Sequence, residues 1–136
     1  MFRITALMLL GSILVRAENI AVVVGAKSPI EHLEREQIRA IFLKKQRFFN
    51  GRALKPINLA PSSPLRKAFE VKVLQMSTEH LERYWIREHY HGHRPPYRVE
   101  SIPAMAEFVT KVPGAIGYLP EDKVTKKMKV LYWIVL

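Results

Sequence analysis

The chain has 136 residues, 49% of them apolar, with 22 Lys and Arg against 12 Asp and Glu and no cysteine. This composition is typical of one globular domain, and it excludes a disordered or collagen-like polymer and a disulfide-stapled miniprotein. The formal charge of +10 at neutral pH makes the chain basic, which bears on the choice of partner.

Residues 1–17 have the pattern of a secretory signal peptide. Arg3 gives a positive start, the residues that follow are mostly apolar, and Val15-Arg16-Ala17 provides a small residue at the exit. The apolar run is shorter than the roughly 20 residues that a transmembrane helix needs. We therefore expect cleavage and export of residues 18–136 to a bacterial periplasm, with an uncleaved amphipathic anchor as the alternative.

The first elements of the exported domain are a buried strand and a helix. Ile20 to Val24 is a continuous β-branched run closed by Gly25, which predicts a strand buried on both faces, as in the core of a parallel sheet. Ser28-Pro29-Ile30-Glu31 supplies a hydroxyl cap, a proline and a returning glutamate, so a helix is predicted to begin there. That helix is predicted to end near Lys44-Lys45.

The middle of the chain alternates between strands and helices. Asn50-Gly51 marks a turn before a predicted strand at residues 54–60, and the serine of Ser63-Pro64 announces a second helix. A third helix is predicted from about Ser77 to Tyr90, where consecutive prolines soon prevent its continuation. A short strand or extended link at residues 97–100, a fourth helix capped by Ser101, and strands at residues 115–119 and 129–136 complete the series.

This alternation predicts an α/β fold, with a single three-layer or two-layer lobe around a mainly parallel or mixed sheet. The last strand contains seven consecutive apolar residues from Val130 to Leu136. Such a run is unusual for an exposed edge strand. We therefore predict that this strand is central in the sheet, with cover by a partner as the alternative.

Four stretches share their order and motifs with one known family. They are Gln37–Lys45 with Asn50-Gly51-Arg52, then Ser62–Arg66, then Tyr84-Trp85 through Gly92 to Pro95-Pro96, and finally Val112–Tyr118. Together they resemble the phosphate-binding proteins of bacterial phosphate transporters, in the type II periplasmic binding protein class. The last stretch is the most specific, because that family commonly ends a helix with Pro-Gly and enters a strand as Ala-Ile-Gly-Tyr.

The resemblance implies a phosphate-binding-protein-like lobe, but two departures imply reduced binding. A full receptor of that class has two lobes joined by a hinge, whereas residues 18–136 supply one. Its phosphate-contacting loop usually reads serine-glycine-threonine, and this chain has Ser62-Ser63-Pro64 at the corresponding place. Since proline has no amide hydrogen, the loop has lost one donor to an anion.

Ser62, Ser63 and Arg66 form the predicted ligand site. A helix N-terminus offers unpaired amides and a favourable dipole, and hydroxyls and a guanidinium add charge-assisted donors for phosphate or a similar oxyanion. Lys67 adds positive charge nearby. The simpler alternative is that one serine caps the helix and Arg66 points into solvent.

His89, His91 and His93 alternate with other residues, so an extended segment would project all three imidazoles to one side, where zinc or copper binds readily. The segment crosses a predicted helix end, however, and no cysteine or evident carboxylate completes a ligand set. We therefore predict a solvated or aromatic-packed cluster rather than a metal site.

The remaining features predict neither nucleic-acid binding nor catalysis. Cations are interleaved with glutamates, which is typical of solvated helix faces. Phe48-Phe49 and Tyr84-Trp85 are predicted to pack in or near the core. No Ser-His-acid order and no glycine-rich nucleotide loop stands out, so no enzyme activity and no cofactor are predicted. The densest cationic cluster favours attraction to anionic lipid or polymer surfaces and comprises Lys123, Lys126, Lys127 and Lys129.

Two functions from different classes follow. The first is an exported single-lobe domain that binds phosphate or a related oxyanion weakly at a helix N-terminus. The second is a ligand-free interaction module that docks on an envelope or membrane protein complex, with the partner replacing the missing lobe.

Overall fold

The computed structural model describes residues 19–136, so the predicted signal peptide and its cleavage after Ala17 lie outside the described residues. The strands are β1 Ile20–Gly25, β2 Phe48–Phe49, β3 Arg52–Ala53, β4 Lys55–Asn58, β5 Tyr97–Arg98, β6 Ala115–Pro120 and β7 Met128–Ile134. The α-helices are α1 Arg35–Phe42, α2 Pro64–Phe69, α3 Thr78–Tyr90 and α4 Ile102–Lys111. A π-helical turn, Glu70–Leu74, continues α2, and a 3-10 turn, Glu121–Lys123, follows β6.

Five strands form one mixed sheet in the order β5-β4-β6-β1-β7, and β2 and β3 form a separate hairpin. β4 runs parallel to β5 and β6, whereas β1 runs antiparallel to β6 and β7. The predicted α/β lobe with a mixed sheet is confirmed. The β1 strand is buried as predicted, but its two neighbours are antiparallel, not parallel.

Helices cover both faces of the sheet. A Cβ at Gly117 would lie 2.5 Å from Met105 Sδ and 2.9 Å from Val109 Cγ2, so the missing side chain lets α4 pack closely on one face. The next residue, Tyr118, points to the other face, where its ring stacks on Phe69 of α2 with centroids 4.1 Å apart. The lobe therefore has three layers.

The serines predicted to begin helices do so. Ser63, Ser77 and Ser101 are the N-caps of α2, α3 and α4, and each hydroxyl accepts a hydrogen bond from the amide three residues later. Within residues 19–136, none of the helices combines the length and the apolar character needed to cross a bilayer.

The first helix begins at Arg35, so the predicted start at Ser28 is wrong. A capping box fixes the observed start, in which the Glu34 amide donates to the Gln37 side-chain oxygen at 2.8 Å. Residues 28–34 form an irregular segment instead of a first helical turn.

This irregular segment lies against the outer edge of β7, which is an edge strand and not the central strand that its apolar run predicts. The Leu33 amide donates to the Leu131 carbonyl at 3.4 Å, and Lys129 Nζ contacts the Ser28 carbonyl at 2.6 Å and Glu31 Oε1 at 2.7 Å. The chain's own preceding segment therefore covers part of the edge, which explains both errors together.

Candidate functional site

The loop that joins β4 to α2 carries the predicted site residues Ser62 and Ser63. We call residues 59–63 the serine loop. It follows Asn58, the carboxyl end of β4, and β4 runs parallel to β6. Open α/β sheets bind ligands in the crevice outside the carboxyl ends of their parallel strands, so the serine loop lies at the expected end of this sheet.

A buried polar contact fixes the base of the serine loop. The Tyr118 hydroxyl donates to Asn58 Oδ1, and the Leu59 amide lies 3.2 Å from the same hydroxyl oxygen and 3.1 Å from Asn58 Oδ1. Burial raises the pKa of Tyr118 well above its ordinary value, so the phenol keeps its proton and remains a donor. The loop therefore starts from a rigid anchor.

Within the loop, Ser62 is exposed and Ser63 is half-buried. Ser63 Oγ accepts from the Arg66 amide at 3.3 Å, and the Ser63 amide donates to the Ala60 carbonyl at 2.9 Å. The Ser63 oxygen therefore serves as a helix cap, while its hydroxyl hydrogen and the Ser62 hydroxyl remain available as donors to a ligand.

Arg66 does not point freely into solvent or into an open anion site. Its Nε donates to Glu70 Oε1 at 2.5 Å and its Nη1 donates to the Leu59 carbonyl at 2.8 Å. The two charged side chains are 16% and 11% exposed, so this is a largely buried ion pair. A guanidinium has five donors, which leaves N–H groups for an anion, but the neighbouring carboxylate weakens the attraction.

The sequence reasoning missed three residues of this region. Glu70 lies four residues after Arg66, and this spacing is a known signal for a helical ion pair. Asn58 and Tyr118 are 60 residues apart, and nothing in a single sequence indicates that they touch.

The three histidines do not converge. His91 is the C-cap of α3, which interrupts the predicted alternation, and His93 Nδ1 lies 2.5 Å from Glu88 Oε2. The hydrogen bond from His93 lowers the pKa of the Glu88 carboxyl below its usual value. Among residues 19–136, the structure contains no group of three side chains placed to hold a metal ion.

The aromatic pairs pack mostly as predicted. Tyr84 donates its hydroxyl to the Leu43 carbonyl at 2.6 Å, and Tyr84, Trp85 and Phe49 pack against the core. Phe48 is 60% exposed, so its predicted burial is wrong. Phe48 pairs with Ala53 in the β2–β3 hairpin, which is separate from the five-stranded sheet.

Comparison with solved structures shows that this fold is that of phosphate-transport receptors. The chain is similar to a Clostridium perfringens protein assigned to the phosphate ABC-transporter substrate-binding proteins and solved with bound phosphate, with a TM-score of 0.70 and 18% identity. It is similar to an ABC-type phosphate transport receptor from Vibrio cholerae, with a TM-score of 0.68 and 19% identity. It also resembles PstS from Borrelia burgdorferi, with a TM-score of 0.65 and 13% identity.

Each match covers 84% of this chain but 44%, 45% and 46% of the respective receptor, so the chain spans less than half of their length. No protein-family model and no curated protein matches the sequence. The resemblance inferred from the four sequence stretches is thus confirmed as a single lobe of the phosphate-receptor fold.

Proposed function

We propose that this chain, which has the fold of one lobe of phosphate-transport receptors, binds phosphate or a related oxyanion weakly at the serine loop. The observation that carries the proposal is the position of Ser62 and Ser63, whose hydroxyls lie at the carboxyl end of β4, where such sheets bind ligands. The bound phosphate in the Clostridium perfringens neighbour supports the same ligand class. We place the protein in the periplasm and assign it no catalytic role.

Weak binding follows from how the site is built. Pro64 removes an amide donor, and Arg66 is shared between Glu70, the Leu59 carbonyl and any bound anion. An incoming anion must compete with a carboxylate at 2.5 Å. We therefore expect a dissociation constant on the order of 1 mM for inorganic phosphate.

Calorimetric titration with phosphate and sulfate tests the site. Glu70→Gln keeps the side-chain shape but removes the competing charge, so it should tighten phosphate binding about tenfold. Arg66→Gln should abolish the signal. The matched control is Lys111→Gln, because Lys111 and Glu107 form an exposed ion pair with the same four-residue spacing at the opposite end of the sheet.

Two outcomes would overturn the proposal. One is a wild-type protein that binds no phosphate at several times the expected dissociation constant. The other is unchanged phosphate binding in both the Glu70→Gln and the Arg66→Gln variants, since the anion would then bind elsewhere.

The second candidate function is an interaction module that docks on an envelope or membrane protein complex. Ile86 is 59% exposed and Tyr90 is 84% exposed, and the two lie one turn apart on α3. Large apolar side chains at neighbouring exposed positions are typical of protein contact surfaces.

A photo-crosslinking amino acid at Tyr90, compared with one at Lys126, separates this function from the first. Docking through α3 predicts a discrete crosslinked envelope protein from position 90 and none from position 126. Recovery of the uncrosslinked chain alone from both positions in intact cells would contradict the module.

A further inference from the structure

The end of the sheet opposite the serine loop contains a cavity of about 960 Å³. It lies where β1 ends at Gly25 and where β4 and β6 begin at Lys55 and Ala115. The β2–β3 hairpin and the last turn of α4 close its sides. Small-molecule sites are commonly clefts of about 300–1,000 Å³, so the volume suits a bound organic ligand.

The walls of this cavity are predominantly apolar. Three of the wall residues are only half-buried although they pack against the core, namely Phe49, Leu54 and Val112. Ile30 and Val109 extend the apolar surface inward. The chain thus leaves a hydrocarbon-lined recess unfilled among residues 19–136, and burial of a hydrocarbon chain there would be favourable.

Cations surround the recess. The lining includes five cationic residues and no carboxylate among the described residues, and the five are Lys27, Arg52, Lys55, Lys111 and Lys127. Lys111 pairs with Glu107 at 2.9 Å and follows the usual preference for a cation in the last turn of a helix. The other four make no ion pair within residues 19–136.

We propose that this cavity, which we call the cationic cavity, binds an anionic amphiphile. The hydrocarbon chain lies against Phe49, Leu54 and Val112, and the single anionic head group lies among the unpaired cations near Arg52 and Lys55. Apolar walls select against a free inorganic anion, and the positive charge selects against neutral and cationic amphiphiles. Neither selection involves the serine loop, so this site stands independently of the proposed phosphate site.

Because of their charge, the chain's own residues 1–17 suit the cationic cavity less well than an anionic amphiphile does. That segment carries Arg3 and Arg16 and no acidic side chain, so it repels the cations that surround the recess. An anionic head group instead gains charge-assisted hydrogen bonds from lysine and arginine.

The test uses the purified protein and dodecanoate below its micelle-forming concentration, measured by calorimetry. Dodecyltrimethylammonium and dodecyl maltoside supply the same chain with cationic and neutral heads, and acetate supplies the head without the chain. We expect saturable one-to-one binding of dodecanoate that is at least about tenfold tighter than binding of the other three ligands.

Two kinds of variant test separately how the charge and the volume of the cationic cavity affect ligand binding. Arg52→Glu with Lys55→Glu should weaken dodecanoate binding at least about tenfold, because both residues are exposed and their reversal leaves the core intact. Lys123→Glu with Lys126→Glu is the control of equal charge change outside the cavity. Ala53→Trp places a bulky ring at the lining and should weaken the cationic, neutral and anionic dodecyl ligands alike.

The proposal is overturned if all three dodecyl ligands bind equally, if the two double variants weaken dodecanoate equally, or if dodecanoate fails to saturate. The second result would mean that the overall charge of the protein, not the cavity, attracts the ligand. Circular dichroism of each variant confirms that the fold is intact before the titrations are compared.

Discussion

Both ends of the central sheet carry cationic side chains, but the two ends differ in how those side chains are paired and buried. At the serine loop, Arg66 is held by Glu70 and by a backbone carbonyl in a largely buried arrangement. At the cationic cavity, Lys27, Arg52 and Lys55 face an apolar recess without a carboxylate partner among residues 19–136. Charge counted along the chain does not distinguish these ends, whereas pairing and burial do.

The difference has a functional consequence. Arg66 shares its charge between Glu70 and an anion and therefore attracts the anion less, and loss of its partner would leave Glu70 buried and unpaired. Unpaired cations beside apolar walls contribute little to the stability of the fold but attract an anion more strongly. The serine loop lies at the carboxyl end of β4, and the cavity end has the stronger uncompensated charge.

The largest expected effect on stability is at the cavity end. Gly114 has φ +80°, its carbonyl accepts from the Lys55 amide at 2.8 Å, and an added Cβ would overlap the Ala53 carbonyl oxygen. Gly114→Ala should lower the free energy of unfolding by about 3 kcal/mol, because left-handed strain and a backbone clash add. Denaturant unfolding measures this loss.

Gly51→Ala is the matched control, since Gly51 has φ +78° but open space around its Cα. It should cost about 1–2 kcal/mol from strain alone. Equal losses at the two glycines would show that the close approach of Gly114 to Ala53 is not important.

The second prediction compares two arginines directly. Arg66→Met should cost about 2–3 kcal/mol, because Glu70 would remain largely buried without its partner. Arg52→Met should change the free energy of unfolding by less than about 0.5 kcal/mol, because exposed cations contribute little to stability. A similar cost for both variants in chemical denaturation would remove the distinction between the two ends.

The third prediction separates helix capping from ligand binding. Ser63→Ala and Ser77→Ala each remove an N-cap hydroxyl and should each cost about 1 kcal/mol of stability. Phosphate binding should weaken in Ser63→Ala and remain unchanged in Ser77→Ala. If calorimetry shows equal phosphate binding in the two variants, Ser63 is a cap without a role in binding.

The last prediction concerns Tyr118, whose effect on the pH dependence of the free energy of unfolding is expected to be smallest near neutral pH. Burial raises the pKa of its phenol in the folded protein, so its stabilising contribution is present below the unfolded pKa of about 10 and is lost as the pH rises toward the folded pKa. The unfolding free energy of wild type should therefore fall more steeply than that of Tyr118→Phe between about pH 9 and about pH 11. Parallel curves would mean that Tyr118 is accessible to solvent.

Much of the fold could be predicted from local sequence signals. Serine start signals located α2 and α4, a β-branched run located β1, and the Pro113-Gly114 turn located the start of β6. The errors share a non-local cause. Residues 28–34 carry a helix-start pattern but lie against the edge of β7, and this contact overrides the local preference. The same contact shields a strand whose apolar run predicted a central position.

The candidate site was less accessible from the sequence. Ser62 and Ser63 follow from the helix-start pattern, and the resemblance to phosphate-binding proteins adds their expected ligand. The Arg66–Glu70 pair could have been predicted from its four-residue spacing. The contact between Tyr118 and Asn58 could not, because it joins positions that are distant in the sequence. The cationic cavity is assembled from four separate parts of the chain, so no single motif indicates it.

The most direct measurement of the central claim follows backbone amide resonances during titration with inorganic phosphate. The account predicts saturable shift changes at Ser62, Ser63 and Leu65 and none at Gly25 or Val112, which lie at the cationic cavity. Shift changes confined to Gly25 and Val112, or no saturable change at Ser62 and Ser63, would contradict it.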